Sequence, residues 1–243
     1  MSSRSEIGHN QNVANFEDLI SRCSGFGANY NPNFNAIKLG NLNTLRANAL
    51  NTLSATSAAK MAYESAVNDR EIVFKPLKKL ATRIMNALKA SGVSELVIKD
   101  ARSINYKIQG VRVKAISENE TEAEKAKHIS VSRQSFDSMM EHYSRLIDLL
   151  GSIPDYQPNE AELSVTGLNT LLSNMKASNT AVINTTTTML NAIIERNLLL
   201  YNKENGLVLI ANEVKFYVKS VFGTTSQEYK EVRTIKFTRR KIN

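Results

Sequence analysis

Apolar and small side chains recur at alternating steps of three and four in the run from Ala36 to Phe74. They are Leu42, Leu45, Ala49, Leu53 or Thr52, Thr56, Ala59, Tyr63 and Ala66. Such spacing lays one apolar stripe along an α-helix and has the character of a coiled-coil heptad. A second run repeats the stripe at Leu168, Leu171, Met175, Ser178, Val182, Thr185, Met189 and Ala192. The offset between the runs is a whole number of heptads, so the two stripes fall in phase. The pattern predicts two equivalent helices of roughly 40 residues, each roughly 60 Å long at ~1.5 Å per residue.

Shorter periodic segments surround these two. Asn15 to Cys23 reads as a helix with Phe16, Leu19 and Ile20 on one face, ended by Gly25-Phe26-Gly27. Ser132 to Leu150 reads as its counterpart, with Phe136, Met139, Met140, Tyr143, Leu146, Ile147 and Leu150 apolar. Pro76 removes a backbone donor and predicts a break after the first long run. Asn202 to Gly206 stands at the matching place after the second. Both runs then resume as helices, Leu77–Ala90 and Leu207–Val221. Each ends near a glycine, Gly92 and Gly223, suited to a left-handed C-terminal cap. A last short helix follows each, near Glu95–Ser103 and Ser226–Arg233. Ile104, Tyr106 and Ile108 alternate beyond the first, and Ile235 and Phe237 beyond the second, which predicts a short strand pair.

The order of these elements is duplicated, and so are their words. Tyr30-Asn31-Pro32-Asn33 leads to Leu42-Asn43-Thr44-Leu45, and Tyr156-Gln157-Pro158-Asn159 leads to Leu168-Asn169-Thr170-Leu171. Ile98 to Tyr106 matches Tyr229 to Phe237. Self-similarity of this kind sets the architecture before any motif does. The expected fold is all-α: an elongated helical bundle of two tandem pseudo-equivalent repeats, each led by one long helix. The expected divisions are a flexible N-terminus over 1–10, a first half over 11–114, an acidic connector over 115–131 and a second half over 132–243. The two long helices are expected to pack on each other, since neither can bury its stripe alone.

Composition supports helices: 243 residues contain only four prolines and ten glycines. Cys23 is the one cysteine, so no internal disulfide can form, which fits a reducing compartment or a secreted protein that needs no bridge. The first residues hold no apolar run of a secretory signal, and no stretch approaches the ~20 apolar residues of a membrane span. The expected location is the cytoplasm. The formal charge is +8, gathered in the second part of each copy. Residues 70–114 hold Arg70, Lys75, Lys78, Lys79, Arg83, Lys89, Lys99, Arg102, Lys107, Arg112 and Lys114 against Glu71, Glu95 and Asp100. Acidic residues collect in the connector at Glu118, Glu120, Glu122 and Glu124.

The long helices are poor in charge. Lys176 is the only charged residue from Leu163 to Ile194, and Arg46 the only one from Leu39 to Ala59. Asn, Ser and Thr fill the polar positions, with Thr185, Thr186, Thr187 and Thr188 in one run. Threonine and asparagine are poor helix formers, and a solvated helix normally carries charge on its outer face. Such helices need neighbours. These come either from the same chain or from other subunits meeting at the threonine run. A membrane-inserting helix is a weaker alternative, because hydroxyl groups facing lipid need partners.

Candidate chemistry is sparse. His9, His128 and His142 stand in no metal-binding spacing, and Cys23 has no partner cysteine, so no metal or cofactor site is expected. No phosphate-binding glycine loop and no Gly-x-Ser-x-Gly turn is present. Catalytic residues are therefore not expected. Candidates for phosphate contact are Lys75, Lys78, Lys79, Arg83, Arg102, Lys107, Arg239, Arg240 and Lys241. Few aromatic residues accompany them, which favours duplex backbone contact over base stacking. Arg70 and Arg196 hold equivalent seam positions and are expected to have a carboxylate or carbonyl partner.

Lys78 to Ile84, Ser103 to Gly110 and Val214 to Gly223 resemble segments of a group of uncharacterised tandem-repeat helical proteins of Bacteroidota bacteria. The resemblance implies a bacterial, intracellular setting and supplies no activity, cofactor or partner. The expected function is that of a non-enzymatic structural or scaffolding protein, partnered by itself as homo-oligomer or polymer. The alternative is a nucleic-acid-binding accessory protein using the basic part of each repeat, and a helical membrane-active protein is the weakest reading.

Overall fold

The computed structural model describes residues 4–111 and 134–239. The acidic connector, Arg240 and Lys241 lie outside the described residues. All regular structure among the described residues is helical. Helix α1 spans Arg4–Gly25, α2 Leu39–Phe74, α3 Leu77–Ala90 and α4 Glu95–Gln109. Helix α5 spans Phe136–Gly151, α6 Val165–Tyr201, α7 Leu207–Phe222 and α8 Gln227–Thr234. Short 3-10 turns at Gly27–Asn29 and Asn35–Ile37 lead from α1 into α2.

The two long helices run 36 and 37 residues, close to the length their periodicity predicts. Every residue of both predicted stripes is buried or half-buried. The preceding turn is fixed in the same way in each copy. Tyr30 donates its hydroxyl to the Ile37 carbonyl at 2.7 Å, and Tyr156 donates to the Leu163 carbonyl at 2.9 Å. Pro76 and Gly206 mark the breaks. A β-carbon on Gly206 would stand 2.5 Å from the Asn202 nitrogen, so the return into α7 needs glycine there. Gly92 and Gly223 take positive φ angles of 74° and 87° after α3 and α7, and Ser135 and Ser226 cap α5 and α8.

The chain forms two compact units, Met1–Tyr63 with Thr185–Asn243, and Glu64–Asn184. The first collects α1, the start of α2, the end of α6, α7 and α8. Its core holds Phe16, Leu19, Cys23, Leu42, Leu200, Val214, Val218 and Val232. The second collects the end of α2, α3, α4, α5 and the start of α6. Its core holds Leu77, Ile84, Leu88, Ile98, Ile108, Tyr143, Leu146, Leu168 and Met175. Each unit therefore joins the opening of one copy to the close of the other. A fully buried Leu or Phe in either core contributes roughly 1.5–3 kcal/mol.

The two stretches of long helix in the first unit meet where Thr56 donates its hydroxyl to the Ala192 carbonyl at 3.1 Å. In the second unit Arg70 donates to the Asn179 side-chain oxygen at 3.0 Å. Asn179 in turn donates to Asp137 at 3.0 Å, and the Arg70 guanidinium lies 4.0 Å from the centre of the Phe136 ring. Arg196 is buried, and its Nε and Nη2 donate to Asn197 Oδ1. A side-chain amide carbonyl thus accepts from each seam arginine, a partner of the kind expected for them.

The short strand pair is not formed. Ile104, Tyr106 and Ile108 belong to α4, where Ile108 is buried, Ile104 half-buried and Tyr106 exposed. Spacing of four between Ile104 and Ile108 serves a helix as well as a strand. Ile235 and Phe237 leave α8 outside regular structure, and side chains satisfy the backbone of this tail. Lys215 donates to the Ile235 carbonyl. Asn15 donates to the Lys236 carbonyl at 2.7 Å. Asn12 pairs with the Thr238 peptide through both amide atoms, each at 2.9 Å. Helix α1 also begins at Arg4, ahead of the Asn15 start that the apolar residues suggest. Its His9 and Asn12 are buried polar groups on the Tyr201 hydroxyl, at 2.6 and 3.2 Å.

Candidate functional site

The outer face of α6 is the most distinctive surface. In the part of α6 that belongs to the first unit, side chains away from its buried stripe include Leu190, Ile194 and Leu198, at 50, 56 and 45% exposure. Thr187, Thr188 and Asn191 are exposed beside them. No charged residue occurs from Ala177 to Ile194, and Glu195 is the one carboxylate on this part of the face. The threonine run is divided by the helix turn: Thr187 and Thr188 face outward, whereas Thr185 and Thr186 are half-buried.

Helix chemistry explains how so many poor helix formers are accommodated. Asn169 donates to the Val165 carbonyl at 2.9 Å, and Thr170 to the Thr166 carbonyl at 3.0 Å. Asn43 and Thr44 do the same in α2, to Leu39 and Gly40. A side chain bonded to its own helix's previous turn offers fewer free polar groups to water. That surface is cheaper to desolvate than one carrying ammonium or carboxylate groups.

The basic candidates lie on α3, α4 and the tail. The buried side of α3 is Leu77, Leu80, Ala81, Ile84, Met85 and Leu88. That leaves Lys75, Lys78, Lys79, Arg83 and Lys89 outward with Thr82 and Asn86, and no carboxylate among them. Two of these cations are engaged. Arg83 bonds Glu162 at 2.6 Å, which holds the Glu162 carboxyl below the usual carboxylate range. Lys78 donates to the Gln109 carbonyl at 3.3 Å, and Gln109 donates back to the Lys78 carbonyl at 2.8 Å. Those contacts bring α4 alongside α3 with Asn105 near Thr82. Arg102 is exposed one turn earlier on α4, Lys107 is half-buried, and Arg239 is exposed at the end of the described tail. Lys75, Lys78, Lys79 and Arg83 thus share one face, while Arg239 belongs to the other compact unit.

Reactive side chains are buried in the cores. Burial pushes the Cys23 thiol up to about 12, far from the range of a nucleophilic thiolate. Burial also raises the phenols of Tyr30 and Tyr143, and lifts Tyr156 to about 12. The unfolded phenol ionises near the ordinary value of 10.0. Above that pH the unfolded chain releases protons that the folded chain retains. Stability contributed by the three tyrosines is therefore fully present below pH ~10 and is lost as pH rises further. Melting temperature measured from pH 7 to 12 should begin to fall at pH ~9, where the unfolded Cys23 thiol ionises, and fall steeply past ~10 as the tyrosines join it. A Tyr156→Phe variant should show a shallower fall; an unchanged slope would remove Tyr156 as a contributor.

Among the described residues no group of His, Cys, Asp and Glu is placed to hold a metal ion. No described helix is long and apolar enough to cross a membrane. Compared with known proteins, the chain matches no family model, no curated protein and no solved structure.

The exposed aliphatic positions Leu190, Ile194 and Leu198 are what the heptad reading leaves out. Their signal is present in the sequence as a second set of spacings of four, out of phase with the stripe that packs inside. The strongest periodicity marks the buried face and hides a weaker one on the other side.

Proposed function

We propose that this chain is a non-enzymatic structural protein built of two tandem repeats. Its partner is a second copy of itself, met through the outer face of α6. The observation that carries this reading is the exposure of Leu190, Ile194 and Leu198 on one helix, interleaved with Thr and Asn and nearly free of charge. A basic protein repels its own copies over most of its surface. The α6 face is one place where two copies can meet without opposing cations. A two-fold pairing lays the same stripe on itself, so one surface supplies both sides of the contact.

The test is light scattering on purified, nuclease-treated protein over a concentration series. Mass that grows with concentration and persists at high salt supports a contact made by apolar area. A single-chain mass at every concentration removes this reading.

A second reading rests on a different observation, the outer face of α3, which carries no carboxylate of its own although Glu162 pairs with Arg83 there. Lys75, Lys78, Lys79 and Lys89 with Arg83 form a cationic surface suited to phosphate backbones. In that reading the protein is a nucleic-acid-binding accessory factor. Its affinity for duplex DNA or RNA falls steeply with salt, and reversal of charge at Lys78, Lys79 and Arg83 removes most of it. Affinity that is insensitive to salt would exclude it.

A further inference from the structure

The second unit contains an open groove of about 610 Å³ between the end of α2, the start of α3 and the first turn of α5. Phe74 and Leu77 form its floor, and Phe136 and Met139 form one wall. Ile72, 67% exposed, stands on the other wall. Lys75 and Lys78 are exposed on the rim, with Glu71 and Asn68. The volume falls within the range of ligand sites, ~300–1,000 Å³. Phe74 and Phe136 meet edge to face at 4.8 Å, and Arg70 lies on the Phe136 ring. The wall is therefore a fixed aromatic surface.

In the first unit an extended piece of the chain lies at one end of the counterpart of this groove, while Leu198, the counterpart of Ile72, stays exposed. The offset that takes Tyr30 to Tyr156 takes Val13 to Met139, and it takes Phe74 to Leu200 and Lys75 to Tyr201. In the first unit Val13, Leu200 and Tyr201 are all buried. Asn12 bonds both the Tyr201 hydroxyl and the Thr238 peptide, so the C-terminal tail lies at that position. In the second unit the residues that match this tail, Ile104 to Lys107, continue as helix α4 instead. Met139 stays half-buried and Lys75 exposed. The Met139 and Lys75 end of the groove therefore lies where a peptide segment is held in the first unit.

We propose that this groove binds an acidic peptide segment of a partner protein in extended conformation. The counterpart argues for a peptide. The rim argues for acid, because Lys75 stands where Tyr201 stands in the first unit and, with Lys78, which also donates to the Gln109 carbonyl, faces the single carboxylate of Glu71. Alternate side chains of an extended segment point to one side. Apolar ones would lie on Phe74, Met139 and Ile72, and acidic neighbours would reach the lysines. This partner is separate from the second copy proposed for α6.

The test uses the full chain and a fluorescein-labelled peptide that alternates Leu or Phe with Asp or Glu. Fluorescence anisotropy reads binding. Saturable binding is expected, weakened about tenfold by Ile72→Ser and about tenfold or more by Lys75→Glu with Lys78→Glu, which at ~1.4 kcal/mol per decade matches one apolar anchor or one pair of charges. Ile72 and Lys75 are exposed, so Ile72→Ser and Lys75→Glu alone should keep the native circular dichroism and melting temperature, and Lys75→Glu alone separates the charge effect from the lost Lys78 bond to Gln109. Independently, methyl resonances of Met139 and Ile72 should shift on adding peptide to the unsubstituted protein. Absence of saturable binding overturns the proposal. So does binding that ignores Ile72→Ser and is displaced equally by an oligonucleotide of the same charge. That second result would mean the lysines attract any polyanion, and would move the site to the nucleic-acid reading.

Discussion

Lysine placed together at Thr187, Leu190 and Ile194 is expected to hold the protein as separate chains at concentrations where the native protein assembles. The three side chains are exposed on the outer face of α6, so none is needed by the core of its own chain. Burying an aliphatic side chain of this size in an interface is worth about 1.5–3 kcal/mol. Losing two such anchors weakens association by at least roughly a hundredfold at ~1.4 kcal/mol per decade. Opposed ammonium groups in the paired stripe add to that cost. Thr186 is left alone because it is half-buried, and lysine there would report on folding as well as on assembly. Sedimentation velocity on the native and triple-lysine proteins decides the matter, with helix content as the control for folding. Equal assembly by both proteins would show that copies meet elsewhere, and would leave the α6 face without this role.

The elements were legible in the sequence where one face of a helix meets a continuous core. The stripes of α2 and α6 hold at every position, and α3 could be drawn from Leu77, Leu80, Ile84 and Leu88 alone. Prediction failed where polar side chains are satisfied by distant parts of the chain. His9 and Asn12 look like the polar start of a frayed segment. They are buried because Tyr201 and Thr238, 192 and 226 positions away from them, supply hydrogen-bond partners. The same pairing explains the missing strand. The alternation of Ile235 and Phe237 is real, yet Asn12, Asn15 and Lys215 satisfy the tail's backbone in place of a second strand. At the candidate surface, the want of charge between Lys176 and Glu195 was plain in the sequence. Which of the four threonines face out was not, because that depends on the helix's phase against a neighbour. Arg83 appeared as one more free cation on α3 until the fold brought Glu162 to it.

The exchange of halves between the two copies makes its own strong prediction. Phe16 is fully buried in a core that also holds Leu200, Val214, Val218 and Val232. Replacement of a buried phenylalanine by alanine costs about 3–5 kcal/mol, part lost transfer energy and part cavity. Against a typical total of about 5–15 kcal/mol that is a large fraction of the stability. Phe16→Ala should therefore speed amide exchange in α1 by roughly two to four orders of magnitude. It should do the same in α7 and α8, although these helices lie in the other copy of the repeat. Their link to α1 is direct: Arg22 donates to the Glu231 carbonyl at 3.0 Å, and Asn12 holds Thr238. A core built within one copy would instead confine the effect to α1 and its own neighbours in sequence. Hydrogen–deuterium exchange followed by mass spectrometry separates the two cases. Full protection retained in α7 and α8 of the alanine variant would mean that the opening of one repeat and the close of the other do not share a core.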